Sequence, residues 1–167
     1  MRLIRLSVGL TAGVMATLLL AACGGSTSSG TGSSPAASSN ALIHTASMKV
    51  GDKTLTVLKE PKGRTLYYFT PDTATTVACT GGCASNWPPL IATSGTPTSN
   101  PALPGKLTVM NGANGNQVLY NGHPLYTYVK DGDAADAYGQ GIGGKWFVAT
   151  ADLGAPSPQA KESPPTY

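Results

Sequence analysis

Two sets of residues have the types and spacing to do chemistry. Tyr67, Phe69, Asp72 and Trp87 form one, and Tyr126, Tyr128, Asp131 and Trp146 the other. In each set a tyrosine and an aromatic two residues on precede an aspartate, and a tryptophan follows that aspartate by 15 residues. Aromatic faces rimmed by carboxylates suit a sugar, whose ring stacks on them while the carboxylates accept its hydroxyls. Two carboxylates are also what glycoside cleavage requires. The equivalent positions of Asp72 and Asp131 argue instead for equal structural roles, because acid and base work needs two different environments. Residues two apart on a strand share a face, so Tyr67 with Phe69, and Tyr126 with Tyr128, predict two aromatic pairs stacked across a pseudo-twofold seam. Just past such strands, Asp72 and Asp131 can accept backbone N–H bonds and fix the turn into the tryptophan-bearing loop.

Other constellations are weaker. Asp131-Gly132-Asp133-Ala134-Ala135-Asp136 places three carboxylates on a glycine-containing loop, which could offer oxygens to calcium but lacks the alternating spacing and final glutamate of an EF-hand. Met48, Met110, His44, His123, Cys79 and Cys83 are ligand types that suit copper or haem, yet none forms a close-spaced set. A serine hydrolase would have to use His123, and no Gly-x-Ser-x-Gly elbow is present. We therefore expect no catalytic residues, no resident cofactor or metal and no enzyme activity. The alternative is an envelope copper- or haem-binding or electron-transfer accessory.

The elements that position the two sets form an internal repeat. Sliding the chain by 59 positions puts Tyr67 on Tyr126, Phe69 on Tyr128, Asp72 on Asp131 and Trp87 on Trp146. Ser47–Val50 and Lys53–Leu58 flank Gly51-Asp52, which predicts a hairpin, and Thr65–Phe69 reads as the next strand with Leu66 and Tyr68 on one face. In the second half Leu107–Met110, Gln117–Tyr120, His123–Tyr128 and Lys145–Thr150 read as strands, separated by the turn pairs Asn111-Gly112, Asn114-Gly115 and Asn121-Gly122. No stretch sustains helical periodicity, and 21 glycines with 13 prolines point the same way. The fold class expected is all-β, a small antiparallel sheet or sandwich of two tandem homologous repeats with irregular Gly/Pro-rich loops.

The chain ends carry an address rather than a core. Arg2 and Arg5 precede the apolar run Ser7–Ala22, which is shorter than the roughly 20 residues a membrane span needs and has the order of an export signal. Leu20-Ala21-Ala22-Cys23 resembles the lipobox of bacterial lipoproteins, whose cysteine is diacylated and becomes the new amino terminus. Residues 1–22 are thus read as signal, Cys23 as the lipidated anchor, and 23–45 as a disordered Gly/Ser-rich tether. The domain is expected over 46–153, with repeat one at about 46–104 and repeat two at about 105–153, before a disordered proline-rich tail at 154–167. Without Arg2 and Arg5 the formal charge of +3 falls to +1, which leaves no basic stripe for nucleic acid. With Cys23 lipidated, Cys79 and Cys83 remain as an even pair in an exported chain, and we expect them to be bonded to each other. Such a short loop gains only about 2 kcal/mol and mainly pins Thr80-Gly81-Gly82.

The paired Tyr-x-aromatic-x-x-Asp motifs, Cys79-x-x-x-Cys83 followed by Ala84-Ser85-Asn86-Trp87-Pro88-Pro89-Leu90, and Tyr120-Asn121-Gly122-x-Pro124-Leu125-Tyr126 together resemble the bacterial lipoproteins that carry this tyrosine motif, described as the secreted repeat of unknown function. The resemblance implies an envelope location, a duplicated β-rich domain and no established biochemical activity. The second copy departs from the first, with Tyr138 and Ile142 standing where Cys79 and Cys83 would be. The reading at this level is a lipid-anchored extracytoplasmic module that binds or builds. Its partners are a membrane through the anchor and a cell-wall glycan or an envelope protein, with no role for nucleic acid.

Overall fold

Turn chemistry sets the frame of the domain. The computed structural model describes residues 41–156. The expected signal, Cys23, the tether up to residue 40 and tail residues 157–167 lie outside the described residues. Gly51, with φ 60°, turns the chain between β1 (Ile43–Val50) and β2 (Lys53–Lys59), which pair antiparallel from His44↔Lys59 to Val50↔Lys53. Next come β3 (Tyr67–Phe69), α1 (Gly82–Asn86), β4 (Ser99–Asn100), β5 (Leu107–Gly112), β6 (Gly115–Tyr120), β7 (His123–Pro124), a 3-10 turn at Ile142–Gly144 and β8 (Trp146–Val148). The β6–β7 turn holds both Asn121 (φ 48°) and Gly122 (φ 86°) in the left-handed region, the conformation that Asn-Gly adopts most readily in a two-residue hairpin.

The all-β expectation is met, as three small sheets ordered β2-β1-β4, β3-β8 and β5-β6-β7. Several boundaries differ. Strand β1 starts at Ile43, inside the segment read as tether, because Ile43 is fully buried and Leu42 and Ile43 both donate to the Thr98 carbonyl. One pairing is parallel, β1 with β4. The loop after Cys79 closes a five-residue helix that is too short to leave any periodicity in the sequence. The expected strand His123–Tyr128 pairs with β6 only through Pro124, then turns away to another partner.

That partner is the opposite repeat. Strand β3 of repeat one pairs antiparallel with β8 of repeat two, Tyr67 facing Val148 and Phe69 facing Trp146. The equivalent segment of repeat two, Tyr126–Tyr128, lies along Trp87–Pro89 of repeat one, with Thr127 N donating to Pro88 O at 2.8 Å and a bridge between Pro89 and Tyr126. Pro88 and Pro89 have no N–H, so this second ladder cannot draw donors from either and is not a full strand pair. At the centre the two tyrosines exchange backbone bonds, Tyr67 N to Tyr126 O at 2.8 Å and Tyr126 N to Tyr67 O at 2.9 Å. Flanking bonds repeat the symmetry: Ala149 N to Leu66 O and Leu90 N to Leu125 O, at 2.8 and 2.9 Å.

Strand alternation then divides the core. Leu66, Tyr68 and Leu125 point to a cluster with Ile43, Leu58 and Val118, whereas Tyr67, Phe69, Tyr126 and Tyr128 point to a second one with Trp87 and Trp146. Each cluster takes side chains from both repeats, so neither repeat can close a core alone. Separate polypeptides covering 41–106 and 107–156 are therefore expected to show no cooperative unfolding individually and to regain the near-ultraviolet circular dichroism of the whole domain when mixed. Cooperative unfolding of either fragment alone would contradict the crossed pairing.

Candidate functional site

The motif aromatics form one continuous stack. Trp87 and Trp146 lie face to face with centroids 3.7 Å apart and planes 1° from parallel. Tyr128 stacks on the outer face of Trp87 at 4.2 Å and Phe69 on that of Trp146 at 4.4 Å. The order Tyr128, Trp87, Trp146, Phe69 alternates between repeats, so the two pairs expected to stack on each other across a pseudo-twofold seam instead stack on the tryptophans that stand between them. Tyr67 and Tyr126 set their edges against Trp87 and Trp146 at 5.4 and 5.2 Å. Such contacts contribute about 0.5–1.5 kcal/mol per pair beyond burial. Both indoles are only 5% exposed, so neither offers the face on which a sugar would stack.

The carboxylates are committed across the same seam. Tyr67 donates its hydroxyl to Asp131 Oδ2, and Tyr126 to Asp72 Oδ2, both at 2.6 Å. The other oxygens do what sequence reasoning expected: Asp72 Oδ1 accepts Ala78 N at 2.7 Å and Asp131 Oδ1 accepts Tyr138 N at 3.1 Å, holding the loops that lead to the tryptophans. Burial pushes both carboxyls up, against the pull of their tyrosine and amide donors. Burial and the neighbouring carboxylate raise both phenols far above the ordinary tyrosine range. The backbone of Gly139 completes the Tyr67 site by donating to its hydroxyl at 3.3 Å. A Cβ on Gly139 would fall 2.7 Å from the Tyr67 ring and 2.8 Å from that of Trp87.

The remaining candidate ligands are not brought together. Cys79 and Cys83 are disulfide-bonded, their Cα atoms 5.2 Å apart, as expected from parity. Cys79 is fully buried in the aromatic cluster, and Ile142 packs against that cluster where Cys83 does in the other repeat. Among the described residues no three His, Cys, Asp or Glu side chains converge as metal ligands would. In the acidic loop the carboxylates serve the local backbone. Asp136 Oδ2 accepts Gly132 N and Asp133 N, and Asp133 Oδ1 accepts Ala135 N.

A lysine that sequence reasoning passed over sits under that loop. Lys59 is 3% exposed, and its ammonium donates to Thr65 Oγ1 and Ala134 O, both at 2.8 Å. Burial pushes its pKa down, while Asp131, Asp136 and Asp133 hold it up. Alternation gave no sign of it, since Val57, Leu58 and Lys59 are all buried at the end of β2.

On the other face of β3 an open groove of about 610 Å³ is lined by Tyr68, Asp72, Ala74, Gly122, His123 and Pro156 among others. His123 is 8% exposed, lies 4.7 Å from the Tyr68 ring, and donates Nε2–H to the Gly154 carbonyl at 3.0 Å. Residues 154–156, read from sequence as disordered tail, therefore pack on the domain and form one rim of this groove. His123 does not face solvent at its hairpin turn, because Tyr68 and the returning chain cover it.

Tyr67→Phe and Tyr126→Phe are each expected to lower the unfolding free energy by about 1–3 kcal/mol, measured in urea, because each strips a donor from a buried carboxylate. Gly139→Ala is expected to destabilise by a comparable amount, about 1–3 kcal/mol, through overpacking of the stack. The native state keeps protons on Tyr67 and Tyr126 that the unfolded chain releases. The stability they contribute is thus full below the ordinary phenol pKa of about 10 and is lost as pH rises beyond it. Unfolding midpoints should fall steeply on the alkaline side, with two phenols that ionise, by ultraviolet absorbance, only as the protein unfolds.

A family model described as a secreted repeat of unknown function matches residues 51–91 and 108–150, once on each motif-bearing repeat. No curated protein matches the chain. No solved structure matches it either. Among the described residues no helix is long and apolar enough to cross a membrane. The two matches together span about half of the chain and carry both halves of the crossed core, and the chain belongs to the family of secreted repeats of unknown function.

Proposed function

We propose that the chain is a lipoprotein of the bacterial cell envelope, held by acyl chains on Cys23, whose domain acts on the outer side of a membrane as a non-catalytic binding or structural module. One observation carries the non-catalytic part. The tyrosines, aspartates and tryptophans whose types and spacing suit chemistry are spent on closing the domain. Both tryptophans are 5% exposed, and both aspartates, 3% exposed, are tied to tyrosine hydroxyls of the opposite repeat at 2.6 Å. Paired acid–base carboxylates need one group free to hold and release a proton at a substrate, and neither Asp72 nor Asp131 is free in that sense.

The anchor follows from chemistry at the other end of the chain. Leu20-Ala21-Ala22-Cys23 closes an apolar export signal. Two acyl chains, at about 0.8 kcal/mol per buried methylene, hold durably where one holds only marginally. With the indole faces enclosed, the partner we propose is an envelope protein rather than a cell-wall glycan stacked on Trp87 or Trp146. A net charge near neutrality gives nucleic acid nothing to bind.

Growth with an alkyne-bearing palmitate is expected to label the full chain and to leave it in the membrane fraction after a high-salt wash. Cys23→Ala is expected to lose both the label and the membrane association. An unlabelled parent, or a Cys23→Ala chain still held by the membrane, overturns the anchor.

A further inference from the structure

We infer that the groove beside Tyr68 and His123 is a binding site for a small apolar molecule bearing a protonated amine. Its volume, about 610 Å³, falls within the roughly 300–1,000 Å³ of small-molecule sites. Tyr68, Ala74, Gly122 and Pro156 give it apolar walls. Asp72 supplies the charge, and no lysine or arginine is among the residues that line it.

The histidine sets the polarity of the ligand. A carbonyl only accepts, so the 3.0 Å contact with Gly154 O puts the imidazole hydrogen on Nε2. Nδ1 is then a bare lone pair, and it is buried without a hydrogen-bond partner. Burial also lowers the His123 pKa, which keeps the ring neutral and Nδ1 an acceptor. An unmet buried acceptor costs about 1–3 kcal/mol, a cost that a ligand donor removes. Hydroxyls along the groove serve either way, but the lone pair of His123 calls for a donor, and Asp72, its oxygens already bonded to Tyr126 and Ala78, acts on the ligand through its charge alone.

An ammonium on an apolar stem meets each feature. Its N–H reaches an acceptor, its charge is drawn to Asp72, and a cation is favoured against the face of an aromatic ring such as Tyr68. A carboxylate or phosphate would set like charge against Asp72 and lone pair against lone pair. The related half of the molecule does not repeat the site. Arg64 stands where the 59-residue shift places His123, and its Nε is tied to Glu60 at 3.1 Å. The groove is therefore a property of one half.

The test titrates the protein with 2-phenylethylamine, 2-phenylethanol and phenylacetate near neutral pH, following imidazole nitrogen and backbone amide resonances. The amine is expected to bind saturably and to shift His123, the alcohol about tenfold more weakly and phenylacetate not at all. His123→Phe should weaken the amine about tenfold, the worth of one charge-assisted hydrogen bond. Ala74→Trp, a change on the exposed rim, should abolish binding by filling the groove while leaving the amide spectrum of the core intact. The inference is overturned if no probe saturates, if phenylacetate or the alcohol binds as well as the amine, or if Ala74→Trp binds like the parent.

Discussion

Two hydroxyl-to-carboxylate bonds, Tyr67 to Asp131 and Tyr126 to Asp72, are the constraint on which the rest of the domain depends. Each motif carries a tyrosine and an aspartate, but neither tyrosine uses the aspartate of its own motif. A buried carboxylate is tolerated only when donors replace the water it has lost. Here one donor comes from the adjoining loop and the other from across the seam. The exchange goes with the strands bearing the tyrosines lying edge to edge, where their backbones close a reciprocal pair of hydrogen bonds. Once they do, each tyrosine strand has its free edge toward the tryptophan segment of the opposite repeat, and the two halves become one folding unit.

The stack of four rings is a consequence of that crossing. Tyr128 and Phe69 occupy its ends, and the two indoles meet in the middle because their segments run beside the strand of the other repeat. Gly139 is needed where the loop passes between Tyr67 and Trp87, since no side chain fits there. The corresponding loop of repeat one is closed by the Cys79–Cys83 disulfide instead. A covalent clip in one half and Ile142 packing in the other solve the same problem of seating a short helical turn against the stack.

Duplication left the halves free to diverge wherever symmetry did not hold them. Repeat one buries a lysine under the acidic loop of repeat two, and its ammonium finds oxygens of Thr65 and Ala134. In the other half, one position along from strict register, Leu119 takes the place of that lysine. Arg64 pairs with Glu60 where the opposite half presents His123. The symmetric core thus serves as a rigid frame, and the groove beside His123 is one place where the frame departs from its own symmetry. Polar function placed on an unsymmetrical edge leaves the shared core undisturbed.

Much of the domain was legible in the chain. The repeat period, the Gly51-Asp52 and Asn121-Gly122 turns, the two faces of the Thr65–Phe69 strand and the Cys79–Cys83 pairing follow from local rules: side-chain alternation, φ preferences and cysteine parity. The roles of Asp72 and Asp131 as loop-fixing acceptors were half legible, since one oxygen bonds locally and local bonding has a sequence signature. The other oxygen bonds a residue 54 or 64 positions away, and no local rule points there. Burial of Lys59 and of both indoles was hidden for the same reason, as were the packing of residues 154–156 on His123 and the groove they rim. Periodicity within one strand cannot say which distant segment will cover it. The sequence by itself determined the elements, their turns and their twofold kinship; only the tertiary structure decided that the halves exchange partners, because that choice depends on which carboxylate meets which hydroxyl once water is excluded.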